Sequence, residues 1–263
     1  MLSFSRLIFS VSDGGLAVNP LFEKTTSLVR EAGSEFGASL AIVTSLQREG
    51  VVMVDVALKT LGALRVMTID TGRVPAGTLE MIDTIEARYG IQVERIRPDA
   101  SLADAMVELY GRDLFYDSVP KRSLCCNVRK VWPLARALKD VGGYFTGLRR
   151  GQSETRKDVP VFDRAATPVK INALAEWSAA DVAEYSALHG LPENRLYAEG
   201  YTSIGCDPCT RATKPGEDER AGRWWWETDE ARECGLHFSP SGKVERTADV
   251  LLREILEKVS SKR

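Results

Sequence analysis

The chain has 263 residues, 44% of them hydrophobic and 27% charged, and a formal net charge of −2. That length can bury the core of one large α/β domain, and no window is apolar over the span a bilayer requires. The near-neutral balance excludes a disordered chain and speaks against a nucleic-acid binder, which is more often basic as a whole. The opening Met1 to Ser12 is apolar but short, has only Arg6 for charge and lacks a small-residue cleavage site, so the expected location is the cytoplasm.

Asn19 to Phe36 reads as an amphipathic helix, and the apolar run Ser39 to Thr44 as a buried strand. A loop, Ser45-Leu-Gln-Arg-Glu-Gly50, precedes a helical stretch from Val51 to Leu61. Strand, loop and helix recur as Leu64 to Ile69, Asp70 to Arg73 and Gly77 to Tyr89, with Ile91 to Ile96 as the next strand. Strands alternating with helices predict a doubly wound, mostly parallel α/β sheet. Ser101 to Tyr110 reads as helix, Asp117 to Leu124 leads into Cys125-Cys126, and Asn127 to Lys139 reads as a further helix. Gly143 to Gly147 and Val169 to Leu174 are candidate strands, and Ser178 is placed to cap a helix running to Leu188. Glu199 to Trp226, rich in Gly, Pro and charge, predicts loops. Thr247 to Val259 carries an apolar stripe at helical spacing that predicts packing on the body or on a partner, leaving a homo-oligomer open. The expected organisation is a helical segment at 1–37, a nucleotide-binding domain at 38–214, a tail at 215–237 and an extension at 238–263.

The five cysteines divide into a tandem pair, Cys125 and Cys126, a spaced pair, Cys206 and Cys209, and a lone Cys234. An odd count argues against a secreted disulfide framework, and a C-x-x-C in a reducing compartment points to metal or redox chemistry. Four thiolates suit tetrahedral zinc or a four-cysteine iron–sulfur cluster. Structural zinc pairs usually leave two to four residues between ligands, and none separates Cys125 from Cys126. Neighbouring side chains on a helix diverge by about a third of a turn, which fits separated corners of a cubic cluster better than one ion. The reading is one [4Fe–4S] cluster per chain. From Lys121 to Lys170 there are twelve Lys and Arg against four acids, a net +8. Such a basic focus beside a thiolate set suits a small polyanionic substrate.

Seven stretches together resemble one family, the assimilatory sulfonucleotide reductases, and within it the iron–sulfur adenylyl-sulfate (APS) reductases. They are Thr44-Ser-Leu-Gln-Arg-Glu-Gly50, Ile69-Asp-Thr-Gly72, Cys125-Cys-Asn-Val-Arg-Lys-Val131, Thr146-Gly-Leu-Arg-Arg-Gly-Gln-Ser-Glu-Thr-Arg156, Ile204-Gly-Cys-Asp-Pro-Cys-Thr-Arg211, Arg220-Ala-Gly-Arg-Trp-Trp-Trp-Glu227 and Glu233-Cys-Gly-Leu-His237. They follow family order across about residues 38 to 237. The resemblance implies an adenine-nucleotide α-hydrolase-like fold, reduction of APS to sulfite and AMP, and thioredoxin or a similar dithiol as reductant, with no nucleic acid and no membrane.

By the same resemblance Cys234 is the nucleophile and forms an S-sulfocysteine, while Cys125, Cys126, Cys206 and Cys209 hold the cluster. Ser45, Asp70, Thr71, Gly72, Lys130, Arg156, Arg220, Arg223 and His237 are implied at the substrate. The loop departs from the related Ser-Gly-Gly-x-Asp-Ser pattern, since Gly50 is its one glycine. Lys130, four residues past Cys126, shares its helix face if that helix is regular. Arg149 and Arg150 fit phosphosulfate contacts or structural ion pairs about equally, and the three tryptophans after Arg223 fit packing. Three other readings stand beside this one: a PAPS reductase, a non-catalytic iron–sulfur module, and a thioredoxin-like dithiol enzyme using Cys206 and Cys209.

Overall fold

The computed structural model describes residues 19–227 and 242–261. Helix α1 (Pro20–Phe36) starts where the Asn19 side chain accepts the Leu21 N–H at 3.0 Å, with Pro20 in the first turn. Strand β1 (Leu40–Thr44), helix α2 (Arg48–Leu61), strand β2 (Arg65–Ile69), helix α3 (Ala76–Tyr89) and strand β3 (Val93–Ile96) follow in strict alternation. Helices α4 (Ala100–Tyr110) and α5 (Val119–Cys126) come next, then a π turn over Asn127–Val131 and helix α6 (Trp132–Ala137). Strands β4 (Gly143–Phe145), β5 (Phe162–Asp163) and β6 (Val169–Ile171), helix α7 (Ala179–Leu188) and helix α8 (Gly242–Ser261) complete the described chain.

The strands form one sheet in the order β3-β2-β1-β4-β6-β5. All neighbours are parallel except the short edge pair of β5 and β6. Successive residues of a strand face opposite sides, so a doubly covered strand must be apolar at every position. In β1, Leu40 and Ile42 join a core with α1, α2 and α7, while Ala41 faces Met67, Leu134 and Tyr144 on the other side. A third apolar cluster, apart from the sheet, gathers Met106, Phe115, Leu124, Trp224 and Ile255 with three of the cysteines. The chain moves outward from β1 to β3, then returns to place β4 on the other flank of β1. That reversal opens a crevice at the carboxyl ends of β1 and β4, where open α/β sheets bind ligands.

Ser178 caps α7 as expected, in a box with Asp181. Two expectations are corrected. Helix α2 begins at Arg48 rather than Val51, because its first two charged residues have tertiary partners: Arg48 pairs with Glu193 and Glu49 with Arg149. The helix expected from Asn127 is instead the continuation of α5, which already contains both adjacent cysteines. The intervening π turn makes the helix irregular there, yet Cys126 and Lys130 still border one small hollow. Pro133 lacks the N–H that a regular helix would send back to Arg129, and the widened turn lies immediately before it.

Candidate active site

At the β1/β4 crevice lies a cavity of about 190 Å³. Its first wall is the loop from Ser45 to Gly50, which leads into the N-terminus of α2, where the helix dipole favours an anion. Gly50 is demanded by contact, since a Cβ there would sit 2.3 Å from Thr44 Oγ1. Leu46 takes a positive φ of 55° without being glycine, a conformation that persists only where the surroundings hold it. They do: its side chain is buried in the core, and its N–H donates to Thr44 Oγ1 at 3.0 Å. Gln47 then fills the place where related loops are glycine-rich. Its Nε2 donates to Ser45 Oγ at 3.0 Å, and its Oε1 accepts the Ile204 N–H at 2.8 Å. Nothing in composition or periodicity marked Gln47; the one signal was the missing glycine.

Of the residues implied at the substrate, Ser45, Thr71, Lys130, Arg156, Arg220 and Arg223 line this cavity. They come from five separate stretches of chain, so the cationic wall exists only in the folded protein. Arg156 is buried and donates to Gln152 Oε1 at 2.6 Å, and Arg223 is buried and donates to Ile204 O at 3.3 Å. Gly205 makes room for Arg223, because a Cβ there would lie 2.2 Å from the guanidinium. Asp70 and Gly72 stand outside the lining. Asp70 shapes the turn by accepting the Gly72 N–H at 3.0 Å and pairing with Arg97, and Gly72 supplies a φ of +71°. Arg149 is 3% exposed at its side chain and locked between Glu49 at 2.7 Å and Glu219 at 3.1 Å. Arg150 donates to Val159 O. Neither arginine lines the cavity.

Behind the cavity, Cys125, Cys126, Cys206 and Cys209 ring a smaller hollow with Arg129, Lys130 and Trp224. Among the described residues no three thiol, imidazole or carboxylate groups converge on a single ion. All four thiols nonetheless line the one hollow. Buried Nε of Arg129 and Nε1 of Trp224 have no acceptor in the protein, yet both residues line the hollow, and such orphaned donors suit sulfur acceptors held there. Thr71 Oγ1 lies 3.2 Å from Cys206 Sγ, a contact outside the substrate role implied for it. Burial alone would raise the Cys206 thiol, but Lys130, the Thr71 hydroxyl and Arg223 together hold it below its ordinary value. Burial pushes Cys209 the other way, to about 12, helped by negative charge on Cys206. Ionising Cys209 is therefore costly without a cation bound in the hollow, the usual coupling of metal binding to proton release.

Residues 39–212 match the family model described as phosphoadenosine phosphosulfate reductase domain. Curated APS reductases are 41–52% identical to the chain over most of its length. The chain belongs to the APS reductases of that family. The Allochromatium vinosum adenosine 5'-phosphosulfate reductase is 47% identical over 207 residues, 77% of this chain and 81% of that protein. The Burkholderia cepacia adenosine 5'-phosphosulfate reductase is 41% identical over 229 residues, 86% of this chain and 91% of that protein. Among solved structures, the phosphate complex of Candida auris phosphoadenylyl-sulfate reductase superposes with a TM-score of 0.60 at 25% identity, covering 76% of this chain and 98% of that one. The NH3-dependent NAD synthetase of Campylobacter jejuni, at 13% identity and a TM-score of 0.51, covers 70% of this chain and 80% of that one and shares the fold. The reductase is thus an enzyme with the adenine nucleotide α-hydrolase-like fold expected from its sequence. Cys234 and His237 lie outside the described residues. No helix among the described residues is long and apolar enough to cross a membrane.

Proposed function

We propose that the chain reduces APS to sulfite and AMP, in assimilatory sulfate reduction, through an S-sulfocysteine on Cys234. The observation that carries this reading is a shared wall: Lys130, Cys206 and Trp224 line both the cationic cavity and the cysteine hollow. The sheet's carboxyl edge suits the nucleotide, and the α2 N-terminus with Arg156, Arg220 and Arg223 suits the phosphosulfate. A thiolate approaching that dianion is repelled, and fixed guanidinium groups relieve the repulsion and stabilise the charge developing on the departing oxygen.

In the first displacement Cys234 Sγ forms a bond to the sulfonyl sulfur, and the bond from that sulfur to the AMP phosphate oxygen breaks with its electron pair. AMP is a good leaving group and needs no strong acid. In the second, one thiolate of a dithiol protein such as thioredoxin attacks Cys234 Sγ, sulfite departs with the electron pair, and the second thiol closes the reductant's disulfide and frees Cys234. His237, three residues beyond Cys234, is proposed to favour the thiolate or to orient the substrate.

The four thiols fit a [4Fe–4S] cluster, which when bound would supply a fixed charged centre beside Lys130 and tie α5 to the Cys206 loop. The two electrons come from thiols. Lys130 faces both compartments, and its charge favours substrate oxyanions and cysteine thiolates alike.

Trapping tests the reading. The protein is incubated with labelled APS without thiol and the adduct mapped by peptide mass; label is expected on Cys234, and Cys234→Ser is expected to make no sulfite. An adduct on another cysteine, or full sulfite production by Cys234→Ser, refutes it. Faster turnover of PAPS than of APS would transfer the reading to the phosphorylated nucleotide.

A further inference from the structure

We infer that helix α8 braces the cysteine centre, and that Ile255 and Tyr110 are positioning residues for it. Helix α5 (Val119–Cys126) ends in two of the four thiols and runs on through the π turn into α6. Most helical stability in proteins comes from tertiary packing, so its place depends on what it packs against. Its supports are the turn at Leu114–Tyr116, the Glu227 carboxylate and α8. Of these, α8 is the longest element, at 20 residues.

The contact is specific rather than a loose apolar lean. Ile255 is fully buried and Ala248 nearly so, with Leu251, Leu252 and Val259 partly buried on the same face. Ile255, with Leu251, Leu252 and Val259 packed beside it, joins the cluster that holds Leu124, Cys126, Cys206, Cys209 and Trp224. Two polar ties fix the register. Tyr110 at the end of α4 places its hydroxyl 3.0 Å from Leu251 O and 2.6 Å from the Glu254 carboxylate, and Lys258 pairs with Glu108 at 2.7 Å. Burial and Glu254 raise the Tyr110 phenol, which keeps it a donor. Helix α8 therefore closes the outer side of the wall whose inner side is the cysteine hollow. Partners that fix ligands from outside the ligand set are commonly worth tenfold or more in metal retention.

The inference rests on reading the four thiols as an iron centre. Full-length protein, reconstituted anaerobically with iron and sulfide, is assayed for iron and sulfide per chain, visible absorbance and the rate of iron release to a ferrous chelator. Ile255→Asp is expected to release iron about tenfold faster, with AMP affinity at the cavity unchanged and release by Ile255→Leu at the wild-type rate. Tyr110→Phe, which keeps the ring, is the milder variant and is expected to fall between them. Hydrogen exchange across 248–261 reports whether α8 has come loose. A loosened α8 in either variant with iron release at the wild-type rate overturns the brace while leaving the iron reading standing. A wild-type chain that takes up no iron under these conditions takes both down.

Discussion

Arg122 and Glu227 form a bidentate pair, Nε to Oε1 at 2.8 Å and Nη2 to Oε2 at 3.1 Å, with both side chains about 5% exposed or less. Arg122 lies on α5, one turn before Cys125 and Cys126, and Glu227 ends the described stretch that follows the three tryptophans. Helix α8, which follows residues 228–241 in the chain, also packs on α5. Residues 228–241, with Cys234 among them, are therefore joined at both ends to elements held on the helix that carries the adjacent thiols.

Breaking this pair from one side leaves a buried charge without its partner. Glu227→Ala is expected to lower unfolding stability by about 3 kcal/mol, read from denaturant midpoints, and to slow labelling of Cys234 by APS. The double variant Arg122→Met, Glu227→Met removes both charges and should recover most of the stability. A Glu227→Ala protein as stable as the wild type would show that the pair contributes nothing.

Gln47 joins the anion loop to the peptide two residues before Cys206. Gln47→Leu removes both of its hydrogen bonds while keeping the side chain's bulk. AMP affinity is expected to fall about tenfold, the equivalent of about 1.4 kcal/mol, with little change in thermal midpoint. Unchanged AMP binding by calorimetry would show that the loop keeps its shape without the bridge.

Arg149 and Arg156 are seven residues apart and both buried, yet only Arg156 lines the cavity. Arg156→Leu should weaken AMP or APS binding by at least about tenfold, the worth of one charged hydrogen bond. Arg149→Leu strands Glu49, which lines the cavity, and should destabilise the fold by about 3 kcal/mol while weakening AMP binding less than Arg156→Leu does. A reversed pattern in paired binding and unfolding measurements would exchange their roles.

Asp55 sits inside α2 with the hydroxyls of Tyr89 and Tyr185 each at 2.8 Å and Lys59 at 2.7 Å. Burial raises this carboxyl, but hydrogen bonds from Lys59, Tyr185 and Tyr89 outweigh it and hold the group below its ordinary value. The folded state then binds fewer protons than the unfolded one, so stability is present above about pH 4 and is lost as pH falls through the lowered value. Asp55→Asn should flatten the acid limb of the stability profile. An unchanged limb would assign acid sensitivity to other carboxylates.

The order of strands and helices was legible because it depends on local pattern: the apolar run from Leu40 to Val43 in β1, a helical stripe in α1 and α8, and Ser178 ahead of Asp181. The cysteine set and most cavity cations were legible too, because their residue types carry the chemistry wherever they fall. The turn at Asp70 to Arg73 was read from the sequence, but local pattern could not show that Thr71 touches Cys206, since adjacent side chains diverge and only packing decides what each meets. Nor could it place Arg149 in an ion pair and Arg156 in the cavity, because their surroundings come from α2 and from the loop at Glu219. The π turn was hidden for the same reason: Asn127 to Lys139 reads as unbroken helix until Pro133 and the neighbouring elements set the register. Residue types alone determined which chemistry this chain carries. Tertiary structure decided which groups share a compartment, because burial and distance depend on segments far apart in the sequence.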